Sequence, residues 1–211
     1  MTAFPLRQEI YYPESDGEPM AETEWHLDET IYLIDALKEK FRNAPDVYVG
    51  GDMFLYFEEG NARAVVSPDV FVVRGVEKKK RRTYKTWEEG GRVPCLVVEV
   101  TSDSTQNEDL TNKKELYRRL GVEEYLLYDP LGDYLDPRIQ GFRLDGRRYV
   151  EIAPASDGSV SSRTTGMSFR MEDSQIRLFE TATGRFWERY DERGDEIARL
   201  RAENERLKKT G

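Results

Sequence analysis

Cysteine is almost missing from this chain of 211 residues: Cys95 is its single thiol. That excludes an intrachain disulfide framework and any cysteine-built zinc site. Histidine is as scarce, His26 standing alone, so a histidine-rich metal centre is excluded too. No apolar run approaches the roughly 20 residues of a membrane-spanning helix. The opening MTAFPLRQEI lacks the charged-then-apolar plan of a secretory signal. These absences lead us to expect a soluble, cytoplasmic protein without a membrane partner.

What the chain has instead is charge. Charged residues make up 35% of it against 38% hydrophobic, with a formal net charge of −9. The length suits one domain with a real core plus an appendage, the extra charge belonging to solvated helix or loop. An acidic chain is not a wholly basic nucleic-acid binder, but the charge is uneven. Residues 1–30 carry eight acids and one base, whereas 74–92 carry eight bases and three acids. Lys78, Lys79, Lys80, Arg81 and Arg82 therefore form a candidate nucleic-acid-binding loop. Its plainer reading is a solvated loop with ordinary charge scatter.

Punctuation divides the rest. Pro5, Pro13, Gly17 and Pro19 mark residues 1–22 as an irregular arm. Leu27, Ile31, Ile34 and Leu37 recur at helical spacing behind Thr23, a candidate N-cap. Short strands are expected over 47–49, 53–57 and 64–73, the last interrupted by Pro68. A hairpin is expected over 141–152 around Asp145-Gly146, then a polar loop over 153–166 and a strand over 176–179. Over 185–211, Tyr190, Ile197, Leu200, Asn204 and Leu207 follow a heptad, with Arg193 at one d position. Asn204 at an a position suits a parallel two-stranded coiled coil, and so a homodimer. An amphipathic helix folded onto the body fits the same pattern.

The richest stretch is 94–130. Glu99 interrupts the apolar run Leu96-Val97-Val98-Glu99-Val100, and a buried charge is costly unless something pairs with it. Downstream, Asp109, Lys113, Leu116, Tyr117 and Leu120 share one stripe at 100° per residue, with Glu115, Arg118 and Arg119 opposite. Thr105-x-x-Glu108 resembles a capping box, Gly121 a stop, and Glu124 to Tyr128 the next strand. Strand, helix and strand make a crossover unit. Asp69 begins an earlier strand. If the two strands are neighbours, Asp69 and Glu99 meet on one face, where two carboxylates repel unless a cation lies between them. Mg²⁺ or Mn²⁺ suits such all-oxygen ligation. Lys113 on the covering helix then stands ready to orient or deprotonate water, or to steady a phosphate. The chemistry this describes is metal-assisted phosphodiester hydrolysis.

These residues also resemble a family. Pro68-Asp69, Glu99-Val100-Thr101-Ser102, Asp109-x-x-x-Lys113-x-x-x-Tyr117, Gly121-Val122-x-Glu124-Tyr125 and Asp129-Pro130 are similar to the Uma-type restriction endonuclease family of the PD-(D/E)XK nuclease superfamily. Asp16 to Thr23, Gly51-Asp52-Met53-Phe54, Trp87-Glu88-Glu89-Gly90 and the coiled tail extend the likeness over most of the chain. The resemblance implies an α/β, restriction-endonuclease-like core: a mixed β-sheet flanked by helices, here with a C-terminal coiled-coil helix. It implies a divalent metal and DNA as substrate, with Asp69 and Glu99 as metal ligands and Lys113 as catalytic lysine. One departure stands out. The superfamily signature puts lysine two residues after the second acid, where this chain has Thr101; the family is thought to have moved it to the helix.

The expected domains are an arm over 1–22, a nuclease-like domain over 23–184 and the tail helix over 185–211. Auxiliary site candidates are Glu24, Asp109 and Tyr117. Each has a bland reading beside it: Glu24 as a first-turn acid, Asp109 as the Lys113 partner, Tyr117 as core. His26 is expected to pack or lie exposed, Asp52 to serve a turn, and Cys95 to be a small buried apolar residue. Two other functions remain open: a catalytically inactive nucleic-acid-binding or regulatory module of this fold, and a coiled-coil interaction subunit.

Overall fold

The computed structural model describes residues 10–15, 23–102 and 109–210. The expected capping box at Thr105 and Glu108, and the family-like stretch 16–22, lie outside them.

Helix α1 spans Glu24–Lys40, and the Thr23 hydroxyl caps it by accepting the His26 N–H at 3.2 Å. Its inner face is rotated from the expected apolar stripe. His26, Glu29, Tyr32, Leu33, Ala36 and Leu37 are buried, while Leu27 and Ile31 are about half exposed. That face packs Tyr32, Leu33, Ala36 and Leu37 into the core and also carries a buried ion pair, Glu29 with Arg189 at 3.1 Å. The pair buries a charge on a face that the apolar spacing did not mark as inward.

The strands that follow are β1 Val47–Gly50, β2 Leu55–Tyr56, β3 Val65–Val66, β4 Val70–Arg74, β5 Tyr84–Lys85 and β6 Leu96–Val100. The chain then makes a π-helical turn, Asp109–Lys113, leading into helix α2, Lys114–Leu120. After it come β7 Glu124–Tyr128, β8 Ile139–Asp145, β9 Arg148–Glu151, β10 Val160–Ser162, β11 Met167–Glu172, β12 Gln175–Glu180 and helix α3, Tyr190–Thr210. Two expectations are corrected. The strand expected over 53–57 shrinks to β2, and the polar loop expected over 153–166 contains β10. Such short strands depend on tertiary neighbours and leave little local pattern.

A six-stranded sheet in the order β1-β4-β6-β7-β8-β9 forms the middle layer, antiparallel except for the parallel pair β6–β7. Alternation sends its side chains to two cores. Val70, Val72, Leu96, Val98, Val100, Leu126 and Tyr128 pack with α1 and the antiparallel sheet β10-β11-β12. Phe71, Val73, Val97, Tyr125 and Leu127 pack on the other face with Tyr117 of α2 and the small sheet β3-β2-β5. Glu99 belongs to this second face, one alternation beyond Val97.

Glu124 fastens the two sheets together. Its buried carboxylate accepts from Ser162 Oγ, Arg163 N–H, Thr164 N–H and Thr164 Oγ1, and pairs with Arg143. Helix α3 is held at its root by Arg189–Glu29 and Arg177–Glu192, and beyond that Ile197, Leu200 and Leu207 are exposed. These three apolar side chains thus lie clear of the two cores. Among the described residues no helix is long and apolar enough to cross a membrane.

Candidate active site

Strand register builds the site. Val70 lies opposite Val98 in the antiparallel pair β4–β6, so one step further Asp69 lies opposite Glu99. The two residues are tied through the backbone. Asp69 N–H donates to Glu99 Oε2 at 3.2 Å, and Val100 N–H donates to Asp69 Oδ2 at 2.7 Å. Gly51 packs against the same turn so closely that an added Cβ would sit 2.2 Å from the Asp69 carbonyl oxygen. Only glycine fits there.

The π-helical turn brings the cation. Lys113 Nζ lies 3.3 Å from Glu99 Oε2 and 2.9 Å from Asp109 Oδ1. The expected stripe holds in outline: Asp109 and Tyr117 are buried, Lys113, Leu116 and Leu120 half-buried, and Glu115 and Arg119 exposed. The π turn changes the winding, so the 100° count applies only from Lys114 onward. Gly121 ends α2 in the left-handed region at φ 84°. Tyr117 is core, as expected, and also reaches the acidic cluster, its hydroxyl donating to Glu99 Oε1 at 2.6 Å.

Sequence reasoning missed two neighbours. His26 is buried, with Nε2 3.3 Å from Asp69 Oδ2. Its position three residues beyond a helix N-cap was readable; that this face of α1 meets Asp69 was not. Asp52 does form a turn, with φ 47°, yet its carboxyl also senses Asp69. Other candidates stay apart. Glu24 is exposed in the first turn of α1. The basic loop leaves from the opposite end of β4, about 17 Å along the strand from Asp69. Arg81 is clasped by Glu89 at 2.8 Å and lies over the Tyr48 ring, Lys78 caps the Phe41 and Arg42 carbonyls, and Arg82 pairs with Glu14. Lys80 is exposed.

Electrostatics follows from this packing. Burial pushes the Glu99 carboxyl well above its ordinary 4.5; Lys113 opposes the shift, and Asp69 and Asp109 add to it. For Lys113, burial favours the neutral amine, but Glu99, Asp109 and Asp69 outweigh it and hold the group above its ordinary 10.5 as an ammonium. Burial, reinforced by Asp69, also raises Asp52. The cluster thus gathers more carboxylates than cations, with oxygen donors on Asp69 and Glu99. That donor set fits a hard divalent ion. Among the described residues, no group of three or more His, Cys, Asp or Glu forms a ready metal cage. A metal here would be held by the carboxylate pair together with other oxygen donors.

Cys95 is buried, and burial raises its thiol to about 11, which makes it inert packing.

Comparison with known proteins agrees with the fold. The chain is similar to a solved structure described as "a putative nuclease belonging to DUF820 from Anabaena variabilis ATCC 29413". The match has 13% identity and a TM-score of 0.51, covering 70% of this chain and 76% of that one. Among curated proteins none matches. The Uma2 family model, "Putative restriction endonuclease", matches residues 3–172. That span takes in α1, the whole six-stranded sheet and every member of the acidic cluster, and the chain belongs to the Uma2 family.

Proposed function

We propose that this protein is a metal-dependent nuclease that hydrolyses DNA phosphodiester bonds. The observation that carries the reading is the meeting of Asp69, Glu99 and Lys113, from a strand start, a mid-strand and a helical turn. Asp69 and Glu99 would hold Mg²⁺ or Mn²⁺. When bound, such an ion supplies Lewis-acid charge beside the scissile phosphate. The residues do the rest. Lys113, kept as an ammonium, steadies the negative charge that develops as water adds to phosphorus and one P–O ester bond breaks. From there it also lies within reach to orient the attacking water, which gives up a proton to solvent while the departing ester oxygen gains one. Asp109 anchors Lys113, Tyr117 fixes one Glu99 oxygen, and His26 steadies Asp69.

Helix α3 supports an assembly of two copies. Tyr190, Ile197 and Asn204 occupy a positions, and Arg193, Leu200 and Leu207 occupy d positions. In a parallel pair, Glu203 at g meets Lys208 at e of a second copy, and Asn204 meets its own counterpart. An antiparallel pair loses both matches.

The test is incubation of plasmid and oligonucleotides with Mg²⁺, Mn²⁺ or EDTA. Metal-dependent cleavage abolished by Asp69→Ala and by Lys113→Ala is expected; cleavage that survives either overturns the site. Binding without cutting would favour the non-catalytic module.

A further inference from the structure

We infer that the groove beside the site takes an unpaired DNA strand, a substrate class that rests on the nuclease reading above. This open groove of about 1260 Å³ lies between the small sheet β3-β2-β5, with Pro13 and Ser15 of the arm beside it, and the turn before α2, with Lys113 on its wall. Its floor is apolar, with half-buried Phe54, Phe57 and Leu116. Two exposed arginines stand on its rim, Arg63 ahead of β3 and Arg119 on α2. Glu115, which also lines it, is occupied by Arg118 through hydrogen bonds of 2.7 and 2.6 Å. The cations on the rim therefore set its charge.

This pairing of surfaces selects among forms of DNA. A duplex hides its base faces in the stack and meets proteins with phosphates and groove edges, over polar, wet, cationic surfaces. An unpaired strand exposes flat base faces that prefer an aromatic or apolar platform, with phosphates alongside that need cations. An apolar floor between two arginines matches the second pattern. Because Lys113 belongs to both groove and site, a strand lying on the floor brings a phosphate toward Asp69 and Glu99. The basic loop competes poorly as a track, its Arg81 and Lys78 already engaged and its place at the far end of β4.

Fluorescence anisotropy in EDTA tests this with a short single strand, its duplex, and that duplex carrying an unpaired flap. Single strand and flap should bind at least about tenfold more tightly than plain duplex. Phe54→Leu, which keeps bulk but removes the flat ring, should weaken single-strand binding about tenfold and spare the duplex. Arg63→Glu with Arg119→Glu, both on exposed positions that leave the core untouched, should weaken it further and flatten its salt dependence. Duplex bound as tightly as the single strand overturns the inference, as does single-strand affinity indifferent to the arginine changes. An RNA strand of the same sequence bound more tightly than DNA overturns the assignment to DNA. Groove-dependent binding with no cleavage under any metal sinks the nuclease reading and leaves this one standing. Cleavage confined to duplex, lost with Lys113→Ala, does the reverse.

Discussion

The Tyr117 hydroxyl donates to Glu99 Oε1 at 2.6 Å, with both side chains fully buried. Lys113 and the Asp69 N–H meet the other oxygen, Oε2, so Glu99 is gripped on both sides and cannot rotate. A carboxylate this constrained presents a fixed edge toward Asp69. Tyr117→Phe removes the grip on one side and leaves a buried oxygen short of a donor. We expect a loss of about 1–3 kcal/mol in stability. Cleavage or metal affinity should fall about 10–100-fold, as for other lost supports of a metal ligand. Steady-state cleavage against Mn²⁺ concentration measures this, and an unchanged metal dependence would show that Glu99 does not need the tyrosine.

Metal should stabilise the fold, since a bound ion relieves the crowding of Asp69, Glu99 and Asp109. At about 100 times its dissociation constant a ligand specific for the folded state adds about 2.7 kcal/mol. Thermal unfolding with and without Mn²⁺ should show a rise in midpoint that Asp69→Asn and Glu99→Gln abolish. An equal rise in those variants would place the ion elsewhere.

Glu124 gives a pH signature away from the site. Burial alone would raise its carboxyl, but donors from Ser162, Arg163 and Thr164 hold it below the ordinary 4.5. A carboxyl depressed by folding contributes stability above its unfolded value, and that contribution is lost as pH falls through the lower folded one. Glu124→Gln should therefore be less stable than the parent by about 1–3 kcal/mol at neutral pH. The difference should shrink as pH falls below 4.5. Urea unfolding across that range is the measurement, and a pH-independent difference would mean that only packing was lost.

The tail can be tested by sedimentation. Full-length protein should sediment as a dimer, and Leu200→Glu with Leu207→Glu as a folded monomer, because both leucines are exposed on the body's own account. Asn204→Leu should keep association but relax the choice of two strands, since an amide buried between two helices would disfavour larger bundles. A parent that sediments as a monomer ends the coiled-coil reading.

The sequence by itself determined the crossover unit from Leu96 to Tyr128 and marked Lys113 as inward. The unit rests on local physics, an apolar run, a helical period from Lys114 onward and a glycine stop, whereas Lys113 reached the inside through a π-helical turn that the 100° count does not describe. It also determined that Asp69 and Glu99 would meet if their strands were neighbours. Whether they were neighbours was a matter of register, and pairing of β4 with β6 decided it. His26 beside Asp69, Glu29 against Arg189 and Glu124 in its ring of donors are all contacts between distant segments. Periodicity carries no trace of them, because each side chain satisfies its charge or hydrogen bonds from an element that arrives only on folding. The basic loop shows the same limit from the other side. Its charge was plain in the sequence, but the antiparallel run of β4 carried it to the end of the sheet away from the acids, while a quieter pair, Arg63 and Arg119, was brought to the groove.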